Sequence, residues 1–210
     1  MVCPTLELRD LACVRGGRAL FSGLSLGLHA GRMLRVRGAN GAGKTSLLRL
    51  VCGLLRPTQG EVLWQGTRID AMREGFHRQL IYIGHAAALK DDLTAGENLQ
   101  SAARLAGWPT SRRAVSAALA EVGLPGCDAT PARGLSQGQR RRVALARLVL
   151  GAQAPLWVLD EPFDALDATA AAWLVRCTAS QVRRGGTVLL TSHDPALAFP
   201  ADMPQMELVL

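Results

Sequence analysis

Apolar positions along the chain recur with two different periods, and the switches between them divide it into segments. Over residues 5–30, Leu6, Leu8 and Leu11, then Leu20, Leu24, Leu26 and Leu28, lie on either side of a turn at Gly16-Gly17. That spacing predicts short antiparallel strands. Met33–Arg37 reads as a further short strand. From Ser46 to Gly53 the period becomes helical, with Leu47, Leu48, Leu50 and Val51 apolar. The turn-forming stretch Arg56-Pro57-Thr58-Gln59-Gly60 ends that helix, Glu61–Trp64 begins another strand, and Gln79–Gly84 has the continuous apolar character of a buried one. From about Thr94 to Leu150 the pattern is helical again. Thr94 and Glu97 form a capping box before one helix, Ala114–Val122 makes a second, and Gly138–Leu150 a third. Leu156–Leu159, after Pro155, and Thr187–Thr191 return to short apolar strands. Strands alternating with helices predict an α/β protein with a parallel sheet and crossover connections, interrupted by a helical insert. Internal repeats and low-complexity tracts are absent from the sequence.

Between the strand at 33–37 and the helix from Ser46 lies Gly38-Ala39-Asn40-Gly41-Ala42-Gly43-Lys44-Thr45, two glycines five apart followed by Lys and Thr. This is the phosphate-binding loop pattern in its required strand–loop–helix setting. Successive backbone N–H groups must close around a phosphate chain, which side chains would obstruct. Lys44 then reaches the β- and γ-phosphates and the Thr45 hydroxyl holds Mg²⁺. Lysine usage supports the reading. Of 24 basic side chains only Lys44 and Lys90 are lysines, so a chain that writes arginine nearly everywhere keeps a compact ammonium here.

Two further segments carry chemistry. The strand 156–159 delivers Asp160-Glu161 at its carboxyl end, the edge of a parallel sheet where ligands bind. Asp160 is predicted to hold Mg²⁺ through water, and Glu161 to orient or deprotonate the water that attacks the γ-phosphate. Alone, such a pair would more often be acidic residues at a helix N-terminus; the upstream loop reverses the preference. Leu135-Ser136-Gln137-Gly138-Gln139 places a hydroxyl and a glycine at a helix N-terminus, a second anion site. One nucleotide needs one cradle. Two cradles in one chain suggest a head-to-tail dimer with ATP at each seam.

Composition narrows the alternatives. A chain of 210 residues is long enough for one domain with a sizeable core. A net charge of +7 invites a nucleic-acid reading, yet the basic run Arg140-Arg141-Arg142 is not accompanied by base-stacking aromatics. The five cysteines, Cys3, Cys13, Cys52, Cys127 and Cys177, have no metal-binding spacing and are read as free thiols. The N-terminus lacks a basic-then-apolar leader, and no apolar run approaches about eighteen residues. Any membrane role is therefore expected through a partner.

The segments Gly38–Thr45, Leu135–Gln139 and Trp157–Pro162, then Ala165-Leu166-Asp167 and Thr191-Ser192-His193, stand in the order found in ATP-binding subunits of ABC transporters, which the whole chain resembles. The resemblance implies one ABC ATP-binding domain over residues 1–210. An antiparallel β subdomain would occupy about 1–30 and 60–70, a helical subdomain about 90–150, and a RecA-like core the remainder. It implies two copies enclosing two ATP molecules. Ser136 and Gly138 of one copy would contact the γ-phosphate bound by Lys44 of the other, and Ser46 and Gln139 are further candidate ATP-binding residues. His193 resembles the switch histidine on the γ-phosphate and the attacking water, and Asp167 the residue joining the two sites across the dimer. Two positions depart from the general pattern. His85 follows the strand 79–84 where a glutamine usually touches Mg²⁺, making His85 a further candidate ATP and metal contact. Arg15 stands where an aromatic usually stacks on adenine, a role a guanidinium plane can also fill. These departures resemble the CcmA family, the ATP-binding subunits of cytochrome c maturation haem exporters. So do the segments Arg18–Leu26, Gly60–Gly66, Gln139–Leu148 and Ala154–Phe163, and the spacing from Gly84 through Lys90 to Leu99.

That resemblance implies ATP and Mg²⁺ as ligands, a separate transmembrane subunit (CcmB in that family), and a peripheral position on the cytoplasmic face of a bacterial inner membrane. Nucleic acid is not expected as a partner. An ABC subunit for another exported substrate, or a soluble ABC ATPase acting on nucleic acid or ribosomes, are the alternatives. Lys90, the second lysine, is a candidate docking residue for the membrane partner. Asp194, Arg35 and Arg37 are less typical of the family, and the two arginines fall on a strand that a doubly covered parallel sheet would fill with apolar side chains.

Overall fold

The computed structural model describes residues 5–193 and 197–210; Cys3 and Asp194 lie outside the described residues. The chain divides into two compact units, one comprising residues 1–82, 155–160 and 178–210 and the other 83–154 and 161–177.

The first unit contains two sheets. In one, β1 (Leu6–Arg15) and β2 (Arg18–Leu28) form the antiparallel pair that the leucine spacing predicts, with Leu6 opposite Leu28, Leu8 opposite Leu26 and Leu11 opposite Leu24. β4 (Gln59–Trp64) pairs with the other side of β1, and the two-residue β5 (Thr67–Arg68) completes the order β2-β1-β4-β5. The other sheet follows the order β6-β7-β8-β3-β9, built from β3 (Met33–Arg37), β6 (Leu80–Ile83), β7 (Leu156–Leu159), β8 (Thr187–Thr191) and β9 (Gln205–Val209). β3 pairs in parallel with β8 and β9, and β7 in parallel with β8. Helix α1 (Lys44–Val51) sends Leu47, Leu48 and Val51 into a core shared with Leu34, Val36, Val158, Leu189, Trp64 and Phe76. Phe76 comes from the short helix α2 (Arg73–His77).

β9 is absent from the hydrophobic pattern, and it explains the arginines of β3. The register sets Arg35 opposite Glu207. The Arg35 guanidinium is buried, donates to Leu197 O at 3.1 Å and lies 3.9 Å from Glu207, whose other oxygen is 3.5 Å from Arg37. A buried cation is tolerated where hydrogen bonds and an opposite charge meet it.

The second unit is helical. α3 (Ala95–Ala106) begins at the capping box of Thr94 and Glu97 and ends at Gly107, and α4 (Arg112–Glu121) is capped by Ser111. The predicted helix 138–150 is two pieces, α5 (Gln137–Leu145) and α6 (Arg147–Leu150), joined at Ala146. Ala95, Leu99, Val115, Leu119, Val143 and Ala146 form this unit's core. α7 (Ala168–Arg183) runs from the second unit's residues into the first's at Thr178. Among the described residues no helix is long and apolar enough to cross a membrane, and Cys13, Cys52, Cys127 and Cys177 are free thiols.

Candidate nucleotide site

In the first unit, the loop 38–43 links the end of β3 to the start of α1. The helix begins two residues earlier than its apolar period indicates, because Gly43 serves as N-cap in the left-handed region at φ 105°. The backbone there favours glycine, and a Cβ would in addition be crowded, 3.0 Å from Leu20 Cβ and 3.3 Å from the Phe21 ring. A Cβ at Gly38 would come within 2.7 Å of Leu210 O. Ala39, Asn40 and Gly41 are exposed, and Ala42 and Ser46 half-buried. The first-turn N–H groups of α1 have no intrahelical acceptors, and the helix carries no acidic residue of its own in that turn, which suits an anion. Lys44 is buried along its stem, and its Nζ donates to Gly38 O at 2.9 Å and Ala39 O at 3.2 Å, which holds the ammonium over the loop.

Asp160, at the end of β7, is 1% exposed. Its Oδ1 accepts from the Thr45 hydroxyl at 3.2 Å and from the Thr191 hydroxyl, at the end of β8, at 3.0 Å. The loop helix and two sheet strands are thereby tied at one carboxylate. Hard oxygen donors of this kind, one hydroxyl and one carboxylate, fit Mg²⁺. Among the described residues no cluster of three or more His, Cys, Asp or Glu is assembled. A cation here would thus complete its shell with phosphate oxygens and water, as Mg²⁺ prefers. Ser192 is buried and His193 exposed; with Arg37, Gly38 and Val209 they line a cavity of about 400 Å³ at the start of the loop. His193 and the first loop glycine therefore face a common space. Arg15 is exposed at the end of β1, opposite Arg18 across the Gly16-Gly17 turn.

The second unit holds the remaining predicted residues. Ser136 is the N-cap of α5; its hydroxyl accepts from Gln139 N at 3.2 Å, and the Gln139 side chain accepts from Ser136 N at 2.8 Å. The Gln139 side chain is thus occupied in a capping box. Gly138 is required by packing: a Cβ would be 2.7 Å from Ala165 O. Asp167 accepts from Ala170 N at 2.8 Å and caps α7, with Arg142 4.0 Å from its other oxygen. His85 is exposed, with Nδ1 3.6 Å from an Asp164 carboxylate oxygen. Lys90 exposes its side chain while the buried Asn98 grips its backbone, accepting from Lys90 N at 2.8 Å and donating to Lys90 O at 3.0 Å. Glu161 is buried and adopts the left-handed region at φ 47°, uncommon for a residue with a Cβ.

Sequence reasoning assigned no separate role to Thr191 and Arg141. Arg141 is buried on α5 and directs its guanidinium at backbone carbonyls: Gly84 at 2.7 Å, His85 at 3.3 Å, Glu161 at 2.5 Å and Pro162 at 3.3 Å. A signal existed. Arg141 falls in helical register with Ala144, Leu145 and Leu148, all buried, so it lies on the inner face of the basic run.

The ABC transporter family profile matches residues 21–164. A cytochrome c biogenesis ATP-binding export protein CcmA of Aromatoleum aromaticum is 53% identical over 193 residues, covering 92% of this chain and 90% of that protein. The CcmA of Nitrosospira multiformis is 43% identical over 205 residues, 98% and 99% of the two chains. Among solved structures, the ATP-binding subunit of an ABC transporter superposes with a TM-score of 0.81 at 28% identity, covering 90% of this chain and 79% of its own. A dimeric ATP-binding cassette bound to ADP and phosphate superposes at 0.79 with 23% identity, covering 90% and 88%, and shares the fold. With its phosphate loop, buried carboxylate and the Ser136-capped helix α5, and with these relatives, the chain belongs to the ABC transporter ATP-binding proteins, and among them to the CcmA family.

Proposed function

We propose that this chain is the ATP-hydrolysing subunit of a membrane ABC complex that exports haem for cytochrome c maturation. The observation that carries the ATPase reading is the Asp160 carboxylate, buried and accepting from both Thr45 and Thr191 at the ends of three adjoining elements. The phosphate chain of ATP lies on the amides of Gly38–Thr45 and on Lys44. Thr45 and Asp160 would hold Mg²⁺, with His85 a further candidate, and the ion would supply charge neutralisation to the phosphate chain. Glu161, next to Asp160 in the chain, accepts a proton from water as the water oxygen bonds to the γ-phosphorus. The bond from that phosphorus to the β,γ-bridging oxygen breaks and ADP leaves. His193 lies beside the γ-phosphate. Arg15 stacks on the base.

The chain acts as one ATP-binding domain within a head-to-tail dimer, in which Ser136, Gly138 and Gln139 of a second copy close over the γ-phosphate and Asp167 joins the two sites. The export role is supported by the CcmA relatives, which match over nine-tenths or more of their own length; the CcmB-like transmembrane partner is what membership of that family implies. The protein is peripheral on the cytoplasmic face of the inner membrane, held there by that partner. The test is Glu161→Gln. ATP binding is retained, hydrolysis falls by about 10²-fold or more, and the dimer persists in ATP. Unchanged turnover removes Glu161 from the mechanism. Capture of the wild-type chain from detergent-solubilised membranes brings down a haem-handling transmembrane subunit; capture of an unrelated permease assigns another cargo.

A further inference from the structure

We infer that Arg141 is a positioning residue for hydrolysis, fastening the backbone that carries Glu161 to the segment that follows β6. The inference rests on the reading of Glu161 as the catalytic carboxylate. One buried guanidinium donates to Glu161 O, Pro162 O, Gly84 O and His85 O. Those four carbonyls come from two chain segments more than seventy residues apart in sequence, and the side chain that joins them sits on α5, five residues beyond the Ser136 cap. Guanidinium suits the task because its donors lie in a rigid planar fork, whereas an ammonium would meet the carbonyls from a single point.

The bond to Glu161 O bears on the left-handed conformation of that residue. Rotating Glu161 towards ordinary φ would swing its carbonyl away from Arg141 Nη2, so the contact opposes relaxation of the backbone that aims the carboxylate. Arg141 touches no substrate in this scheme and acts through Glu161. Its neighbour Arg140 fastens the later part of the same segment, donating to Asp91 at 2.6 Å and to Ala132 O at 2.8 Å. Two consecutive arginines of α5 therefore hold both ends of residues 84–91, and only Arg141 also reaches Glu161.

The test compares Arg141→Lys and Arg141→Met with the wild-type chain, each also placed in a Glu161→Asp background that keeps the carboxylate but shortens its reach. Nucleotide-binding stoichiometry and Kd for ATP stay at wild-type values. In Arg141→Met, kcat falls on the order of 10²-fold, the scale of a misplacement of about 1 Å, and Arg141→Lys recovers part of it. In the Glu161→Asp background the further loss shrinks to about threefold or less, because the carboxylate is already displaced. Amide exchange at 84–86 and at 161–163 rises together in Arg141→Lys. An equal fold-loss in both backgrounds, or a loss of binding stoichiometry that matches the loss of kcat, overturns the inference and makes Arg141 a folding residue only. If Arg141→Met does not fold, Arg141→Lys, which keeps the charge, carries the same comparison. Wild-type turnover in Glu161→Asp and Glu161→Gln alike overturns the assignment of Glu161, and the inference with it.

Discussion

Thr191→Val tests the knot at Asp160 most directly. Valine keeps the branched shape of threonine and replaces the hydroxyl with a methyl group, so packing at a fully buried position is preserved while one donor to Oδ1 is lost. A hydrogen bond to a charged group contributes about 1.5–3 kcal/mol. Both partners here are inaccessible to water, which cannot replace the missing donor, so a loss of about 2 kcal/mol is expected. For a chain of this length that corresponds to a fall of about 4–8 °C in Tm. The Thr45 bond to the same oxygen remains, so nucleotide binding survives. The carboxylate, however, is held from one strand fewer, and loss of a residue that orients a metal ligand costs about 10-fold or more in metal affinity. The Mg²⁺ concentration for half-maximal ATP hydrolysis should therefore rise by about that factor, while Thr191→Ser returns both quantities towards wild type. Differential scanning calorimetry and a Mg²⁺ titration of ATPase activity read the two effects. If Thr191→Val unfolds within about 0.5 kcal/mol of wild type with an unchanged Mg²⁺ requirement, Thr191 is not an organiser of the carboxylate.

Glu207→Gln should lower stability by less than about 1 kcal/mol in urea unfolding, because the half-exposed carboxylate is solvent-screened. Arg35→Ala should cost about 2–4 kcal/mol, since it empties buried volume and removes the donor to Leu197 O. Cys52 gives a pH signature: burial, and then the nearby Asp160 charge, push its thiol far above the ordinary range, so it remains protonated in the folded chain where the unfolded chain ionises. Its contribution is constant below about pH 8.5 and declines at up to about 1.4 kcal/mol per pH unit above it. Cys52→Ala, although less stable at neutral pH, should accordingly lose less stability than wild type between pH 8 and 10 in parallel denaturant titrations.

What the sequence disclosed depended on whether a physical requirement left a regular trace in residue type. β1 and β2 did so because alternate leucines must enter one core, and the phosphate loop did so because its backbone must come close to a phosphate. β9 left little trace: Gln205, Glu207 and Val209 are exposed, and only Met206 and Leu208 carry the alternation. Arg35 looked anomalous for that reason, its partner being 172 residues away on a strand that was not foreseen. α7 is written largely in alanine near its start, which forms helix without marking a face. Arg141 was hidden differently. A run of three arginines reads as a solvated surface, and only the helical register with Ala144, Leu145 and Leu148 separates the buried member from Arg140 and Arg142.

The motif glycines show that a recognisable pattern need not have a single cause. Gly43 is fixed by its left-handed backbone and by the approach of Leu20 and Phe21 from β2, Gly38 by Leu210 O beyond β9, and Gly138 by Ala165 O. In each case the atoms that crowd a Cβ belong to the protein itself, whatever a phosphate also demands. The antiparallel sheet and the terminal strand thus take part in shaping the loop that a local reading attributes to nucleotide alone. Substituting one of these glycines would disturb packing and phosphate binding together, so loss of ATPase activity in such a variant says little about which was lost. Thr191→Val and Arg141→Lys are sharper probes. Each removes or weakens hydrogen bonds while leaving most of the side-chain volume in place, and each keeps the phosphate-facing amides as they are.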